Sequence, residues 1–252
     1  MRTICVGLLF FATAALGDSA TCPPNYAYSG FTQPTQWRYV TDWRCNPDQY
    51  PIQSPINIAG RFDEQRDKPI TVTYQPMPLI VKNSGHDFRV MPTLLNTISV
   101  ADIESATLDN FHFHTPAEHT ILGQARLAGE IHFVHTDDKT GRTIVIAILL
   151  RATGATNNML LQPIINQLPV NLCDTELTTV TLAPLLPTSI TTYYRYIGSL
   201  TTPKCDGDVT FFVVPAPMSI GQSQLTALRH FGDNARVPLQ ERNGREIIYV
   251  RP

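Results

Sequence analysis

Charge of either sign is scarce in this chain. Only 16% of its 252 residues are charged and the formal net charge is −2. No basic face exists to neutralise a phosphate backbone, which removes the electrostatic case for a nucleic-acid partner. Long apolar runs are lacking too. Past the N-terminal segment nothing approaches the roughly 18 apolar residues of a membrane-spanning helix. No Asn-x-Ser/Thr acceptor for N-glycosylation occurs, and neither an internal repeat nor a low-complexity tract is present. That excludes a repeat array, and without a Pro/Gly/Ser linker there is no evident place to divide the chain.

The N-terminus has the pattern of a targeting segment. Arg2 supplies a basic start, Ile4–Leu16 an apolar run, and Ala15-Leu-Gly17 small residues for cleavage before Asp18. The expectation is a signal peptide at 1–17 and one domain over 18–252, secreted to the extracellular space, or to the periplasm in a bacterium. Cleavage would remove Cys5 and leave Cys22, Cys45, Cys173 and Cys205, which allow three pairings. The spacing alone does not choose among them, and Cys22 free or bridged to another chain stays open.

Twenty prolines and a strand-rich pattern argue against a helical bundle. Apolar alternation or β-branched runs predict strands at Ile70–Tyr74, Leu79–Lys82, Phe88–Val90, Thr107–Thr115, Glu130–Asp137, Thr143–Arg151 and Val209–Pro215. The run from Thr143 is continuous, as for a strand covered on both faces. Helices are expected only around Leu160–Gln167 and Ser219–Phe231.

Five of the seven histidines fall between positions 112 and 135. His112 and His114 are two apart in a strand pattern, so their imidazoles share a face. Glu130 and His132 share a face of the next strand. If the strands are neighbours, three neutral imidazoles converge, the ligand set of a catalytic zinc site with one open position. His135 falls on the opposite face, and His119, in the connection, reads as a buried hydrogen-bonding residue.

These residues also carry a resemblance. Phe111-His-Phe-His, Glu118-His-Thr and Glu130-Ile-His-Phe-Val-His resemble the zinc signature of the α-class carbonic anhydrases. Gln53-Ser-Pro-Ile-Asn-Ile, Asn83-Ser-Gly-His-Asp-Phe, Gly198-Ser-Leu-Thr-Thr-Pro and Pro217-Met-Ser-Ile-Gly-Gln-Ser-Gln-Leu extend it from about Tyr26 to the C-terminus. The short Thr115-Pro-Ala link is similar to that of bacterial and plant members. The fold so implied is mostly β (α+β): a large twisted, mainly antiparallel central sheet with short peripheral helices and a conical zinc cleft. The activity implied is reversible hydration of CO2 to bicarbonate and a proton by zinc-bound hydroxide, in a monomer or homodimer.

The resemblance also implies residue roles. Zn2+ would sit on His112, His114 and His132. The Thr201 hydroxyl would donate to Glu118 and orient the nucleophile, because a carboxylate can only accept. Val134, Val145, Leu200, Val209 and Phe211 would form an apolar wall for CO2, with Thr202 lining the bicarbonate site. Asn110, the Asn234 carbonyl and Glu130 would hold His112, His114 and His132 respectively. His119 would be hydrogen-bonded near Ser54 and Tyr196, and Tyr28 would lie on the solvent network. His86 would carry protons out, its pKa near 6.5 suiting the task. Disulfide pairing would be Cys45–Cys205, leaving Cys22 with Cys173.

Some positions depart from the family pattern: Phe211 for Trp, Asn110 for Gln, Ser84 and Arg89 for Asn, and Lys204 for Pro. Phe211 would widen the cleft floor, and Arg89 would disfavour protonated His86. An alternative from another class is a catalytically silent binding or matrix module, which typically lacks one or more zinc histidines.

Overall fold

Thr143-Ile-Val-Ile-Ala-Ile-Leu-Leu lies at the heart of the molecule, and both its faces are covered. The computed structural model describes residues 25–66, 69–100, 102–178 and 185–252. The expected signal segment, with Cys5, and Cys22 lie outside the described residues. Among the described residues a 13-stranded sheet dominates. Its main path runs Thr175–Thr178, Leu79–Asn83, Phe88–Pro92, Ile103–His114, Gly129–Asp137, Thr143–Ala152, Gly207–Ile220, Tyr193–Ser199, Ile248–Arg251 and Asp63–Arg66. Two neighbouring pairs on this path are parallel, Thr143–Ala152 with Gly207–Ile220 and Ile248–Arg251 with Asp63–Arg66; the others are antiparallel.

The sheet divides the buried apolar residues into two layers. Ile144, Ile146 and Ile148 join Phe111, Phe113, Ile131 and Phe133 in the larger cluster, closed by Ile164, Leu225 and Leu228 from the two short helices. Val145 and Ala147, on the other face, join Ile56, Tyr196, Val209, Phe211 and Val213. Each large side chain fully buried in this way contributes about 2–3 kcal/mol relative to exposure.

All seven predicted strands are present, most extended by a residue or more at one end or both. The helices are shorter than predicted. Ser219 and Ile220 close the Gly207–Ile220 strand, paired with Arg151 and Ala152, so the helix covers only Gln222–Leu228 with a 3-10 turn at Arg229–Phe231. The first helix shrinks to Gln162–Ile165. Tyr193–Ser199 and Ile248–Arg251 are strands that the pattern reading missed.

One irregularity sets the site. Leu108 pairs with His135 but Asn110 with Val134, leaving Asp109 as an extra, bulged residue. Before the bulge Ala106 and Leu108 face the larger core; after it Phe111 and Phe113 do. The even-numbered Asn110, His112 and His114 are thereby turned together onto the opposite face.

Candidate metal centre and active site

His112 lies directly opposite His132, and His114 opposite Glu130. All four are buried, and one ring nitrogen from each histidine lies within 4.8 Å of the other two. The remaining ring nitrogens are occupied. His112 Nδ1 donates to Asn110 Oδ1 (3.1 Å), His114 Nδ1 to the Asn234 carbonyl (3.0 Å), and His132 Nε2 to Glu130 Oε1 (2.8 Å). This fixes the tautomers and leaves Nε2 of His112, Nε2 of His114 and Nδ1 of His132 for a ligand. Asn110, though shorter than Gln, reaches its histidine because it sits two residues earlier on the same face.

Burial first, then the neighbouring imidazoles and Arg89, hold His112 well below its usual pKa. Burial lowers His132 as well, against the pull of Glu130. Neutral imidazoles with free lone pairs are what a borderline metal requires. His114 Nε2 is buried without a hydrogen-bond partner, a polar atom that a metal would satisfy. The donor set therefore fits Zn2+.

His119, Glu130 and His132 are equally close to one another, but these atoms are already spent on hydrogen bonds. His119 Nδ1 donates to Glu130 Oε1 (2.6 Å), and the Tyr196 hydroxyl donates to His119 Nε2 (2.6 Å). Ser54 Oγ lies 2.9 Å from that hydroxyl and accepts from Ser199 N (3.2 Å), and Ser199 Oγ donates to the Leu200 carbonyl. Burial would raise the Glu130 carboxyl, but its contacts with His119 and His132 hold it well below the usual carboxylate range. A polar chain thus runs from behind His132 to the start of the Thr201 turn. Gly198 allows this approach: a Cβ there would meet Ser54 Oγ at 2.0 Å.

Glu118 and Thr201 are both buried in the site, but the expected hydrogen bond between them is not formed. Glu118 Oε1 accepts from the Arg236 backbone N–H (2.7 Å). Its Oε2 points toward His114 Nε2 (3.6 Å) and His132 Nδ1 (4.0 Å), buried and without a hydrogen-bond partner.

The five residues expected to form an apolar wall lie together. Val145 lies opposite Val134 on one side and Phe211 on the other. Val134 and Leu200 pack against the cluster that holds Val145, Val209 and Phe211. The Phe211 ring stacks on Tyr196 (5.1 Å between centroids) and stands 5.9 Å from His132. The smaller ring is fully buried beside His132.

His86 is half-buried, 4.5 Å from the Tyr26 ring and 5.7 Å from Tyr28. Burial lowers its pKa and the neighbouring Asp87 opposes this. The protonated form is thus disfavoured, as the sequence suggested, but by burial. Burial is the leading cause, and Arg89 is turned to Asp87 at 3.4 Å.

Tyr26 and the side chains of Asn234 and Arg236 were missed from sequence. Asn234 Oδ1 accepts from Thr115 N (2.7 Å), and its amide donates to the carbonyls of His86 and Phe113 (2.9 Å each). The Arg236 guanidinium is buried among the Ser54 carbonyl (2.7 Å), Gln53 Oε1 (2.7 Å) and the Cys45 carbonyl. That burial pushes its pKa down to about 10. Tyr26 stands two residues before the assigned Tyr28, the only signal that could have found it.

Cys45 and Cys205 are bonded to each other. Cys173 is disulfide-bonded, and Cys22, its expected partner, lies outside the described residues.

This arrangement matches known proteins along nearly its whole length. The family model for eukaryotic-type carbonic anhydrases covers residues 32–250. The carbonic anhydrase of Pectobacterium carotovorum is 34% identical over 97% of this chain and 98% of its own length. Alpha carbonic anhydrase 4 of Arabidopsis thaliana is 33% identical over 91% of this chain and 86% of its own. The solved α-carbonic anhydrase of Thermovibrio ammonificans, captured with the inhibitor sulfanilamide, superposes with a TM-score of 0.79 at 31% identity, covering 88% of this chain and 98% of that one. The chain belongs to the α-class carbonic anhydrase family.

Proposed function

We propose that this carbonic anhydrase works through Zn2+ held by His112, His114 and His132, converting CO2 and water to bicarbonate and a proton. One observation carries the reading: three imidazoles on paired strands, each with one nitrogen already engaged and the other turned to a common point. When bound, Zn2+ supplies a Lewis acid at its open position that acidifies water and so furnishes the nucleophile. The chain's own residues do the rest.

Glu118 has one oxygen fixed by Arg236 N–H and its second unpartnered in this structure; with the metal bound, that second oxygen would accept from the Thr201 hydroxyl. Thr201 then has its lone pair free to accept from the nucleophile and orient it. Val134, Val145, Leu200, Val209 and Phe211 form an apolar wall against which CO2 loses little solvation, and Thr202 receives bicarbonate. His86 accepts the proton and passes it to buffer, and Tyr28 beside it lies on that route. The chain is secreted as one domain after loss of 1–17, a reading supported by the Cys45–Cys205 bond. Among the described residues no helix is long and apolar enough to cross a membrane.

The silent-module alternative is not favoured, because the chain keeps His112, His114, His132, Glu118 and Thr201. Elemental analysis with stopped-flow CO2 hydration, before and after chelation, tests the proposal. One zinc per chain and chelator-sensitive hydration are expected; hydration that survives complete zinc removal would overturn it.

A further inference from the structure

Arg89 is a cation beside the candidate metal centre with a binding group left over. It pairs in register with His112, and residues directly opposite in an antiparallel pair present their side chains to the same face. The next pair, Val90 with Phe111, points into the core on the other face. The Arg89 side chain is 27% exposed, yet its Nε is buried and makes no hydrogen bond. Its one ion-pair contact is long, 3.4 Å from a terminal nitrogen to Asp87 Oδ2, while Asp87 Oδ1 is taken by Ser84 Oγ.

The surroundings supply further donors. Tyr26 and Tyr28 stand beside His86 at the same rim. Burial holds both hydroxyls in the protonated form, and Arg89 acts on both electrostatically. The Thr202 side chain interacts with Tyr26. A planar guanidinium whose Nε and terminal N–H groups are not saturated matches a planar carboxylate.

We propose that Arg89, with Tyr26 and Tyr28, forms a second anion subsite beside the histidine cluster, distinct from the metal position. It takes small planar oxyanions of the carboxylate class, bicarbonate among them. This deepens the reading above by giving the product a place to pause beside the metal, but the subsite itself does not need zinc.

The test follows the Arg89 Nε–H resonance by NMR, assigned through its loss in Arg89→Lys, during titration with sodium acetate. Sodium chloride at matched ionic strength is the control. A saturable shift with acetate and not chloride is expected in both zinc-loaded and zinc-stripped protein. The Tyr26, Tyr28 and His86 ring resonances should report the same binding, weakened roughly tenfold in Arg89→Gln, the scale of one charge-assisted hydrogen bond. A shift that disappears on zinc removal, an equal response to chloride, or ring shifts unaltered in Arg89→Gln would overturn the subsite. The zinc reading stands or falls separately, on metal content and CO2 hydration.

Discussion

His114 and His135 show how one residue type takes opposite roles on adjacent strands. His114 keeps Nε2 unpartnered on the site face, whereas His135 is buried on the other face, bonded through Nε2 to the Tyr74 hydroxyl (2.7 Å). Replacing His114 with Ala should therefore abolish stoichiometric zinc, while His135→Ala should keep one zinc per chain; elemental analysis of purified variants reads both. His135 has its own signature in pH. Burial depresses its pKa to about 4, below the 6.5 it regains on unfolding. The unfolded chain thus binds the extra proton, and stability present above pH 6.5 is lost as the pH falls to about 4. The full loss is about 3 kcal/mol for this group. Urea midpoints of the zinc-stripped protein should fall more steeply across that window than those of His135→Gln, and equal slopes would refute the assignment. Thr201→Ala should lower CO2 hydration roughly 10²-fold, the scale of one oriented hydrogen bond in the transition state, with zinc content unchanged. The histidines were legible because strand period two turns spacing into a shared face. Arg236, Tyr26 and the Asn234 side chain were not, since single polar residues in connections carry no period.

At the scale of elements, the bulge at Asp109 matters more than any one side chain. A strict alternation cannot place Ala106, Leu108, Phe111 and Phe113 in one core, yet all four are there, so one residue must be skipped. Asp109 is that residue, held by Thr136 Oγ1 (2.7 Å). The change of phase from even to odd apolar positions was present in the sequence, but the predicted strand began at Thr107 and hid it. The helix at Ser219–Phe231 was over-extended for a related reason: Ser219 and Ile220 have no strong helical bias, and pairing with Arg151 and Ala152 captures them. Deleting Asp109 should restore unbroken alternation and force a choice. Either Ala106 and Leu108 leave the core or the histidines leave the site. The expected result is loss of zinc binding with a destabilisation of several kcal/mol, the cost of displacing more than one buried apolar side chain. Asp109→Ala, which keeps the residue count, should retain zinc. A deletion variant that binds zinc at wild-type stability would show that the bulge is dispensable.

Across the whole molecule, segments far apart in sequence, around Cys45 and Arg236, are drawn onto the turn that carries Thr201. Cys45 and Cys205 are 160 residues apart. Around this bridge Arg44 N–H donates to the Lys204 carbonyl (2.9 Å), and Cys205 N–H to the Thr202 carbonyl (2.8 Å). Arg236, near the C-terminus, binds the carbonyls of Cys45 and Ser54 from the other side. The topology itself could be anticipated only through family resemblance, because strand order across so many non-local pairs leaves no local trace. The covalent link makes the arrangement testable. On the chain-entropy estimate, closing a loop of this length stabilises the fold by about 5 kcal/mol, a large share of the 5–15 kcal/mol typical of a domain. Replacing Cys45 and Cys205 together with Ser should lower the denaturant midpoint accordingly. Hydration should fall while zinc content holds, because His112, His114 and His132 sit on central strands and Thr201 sits on the tethered turn. Non-reducing peptide mapping of the wild type should yield the Cys45–Cys205 peptide. A double variant with unchanged midpoint and unchanged turnover would mean that the hydrogen bonds from Arg44, Cys205 and Arg236 hold the turn without the bridge.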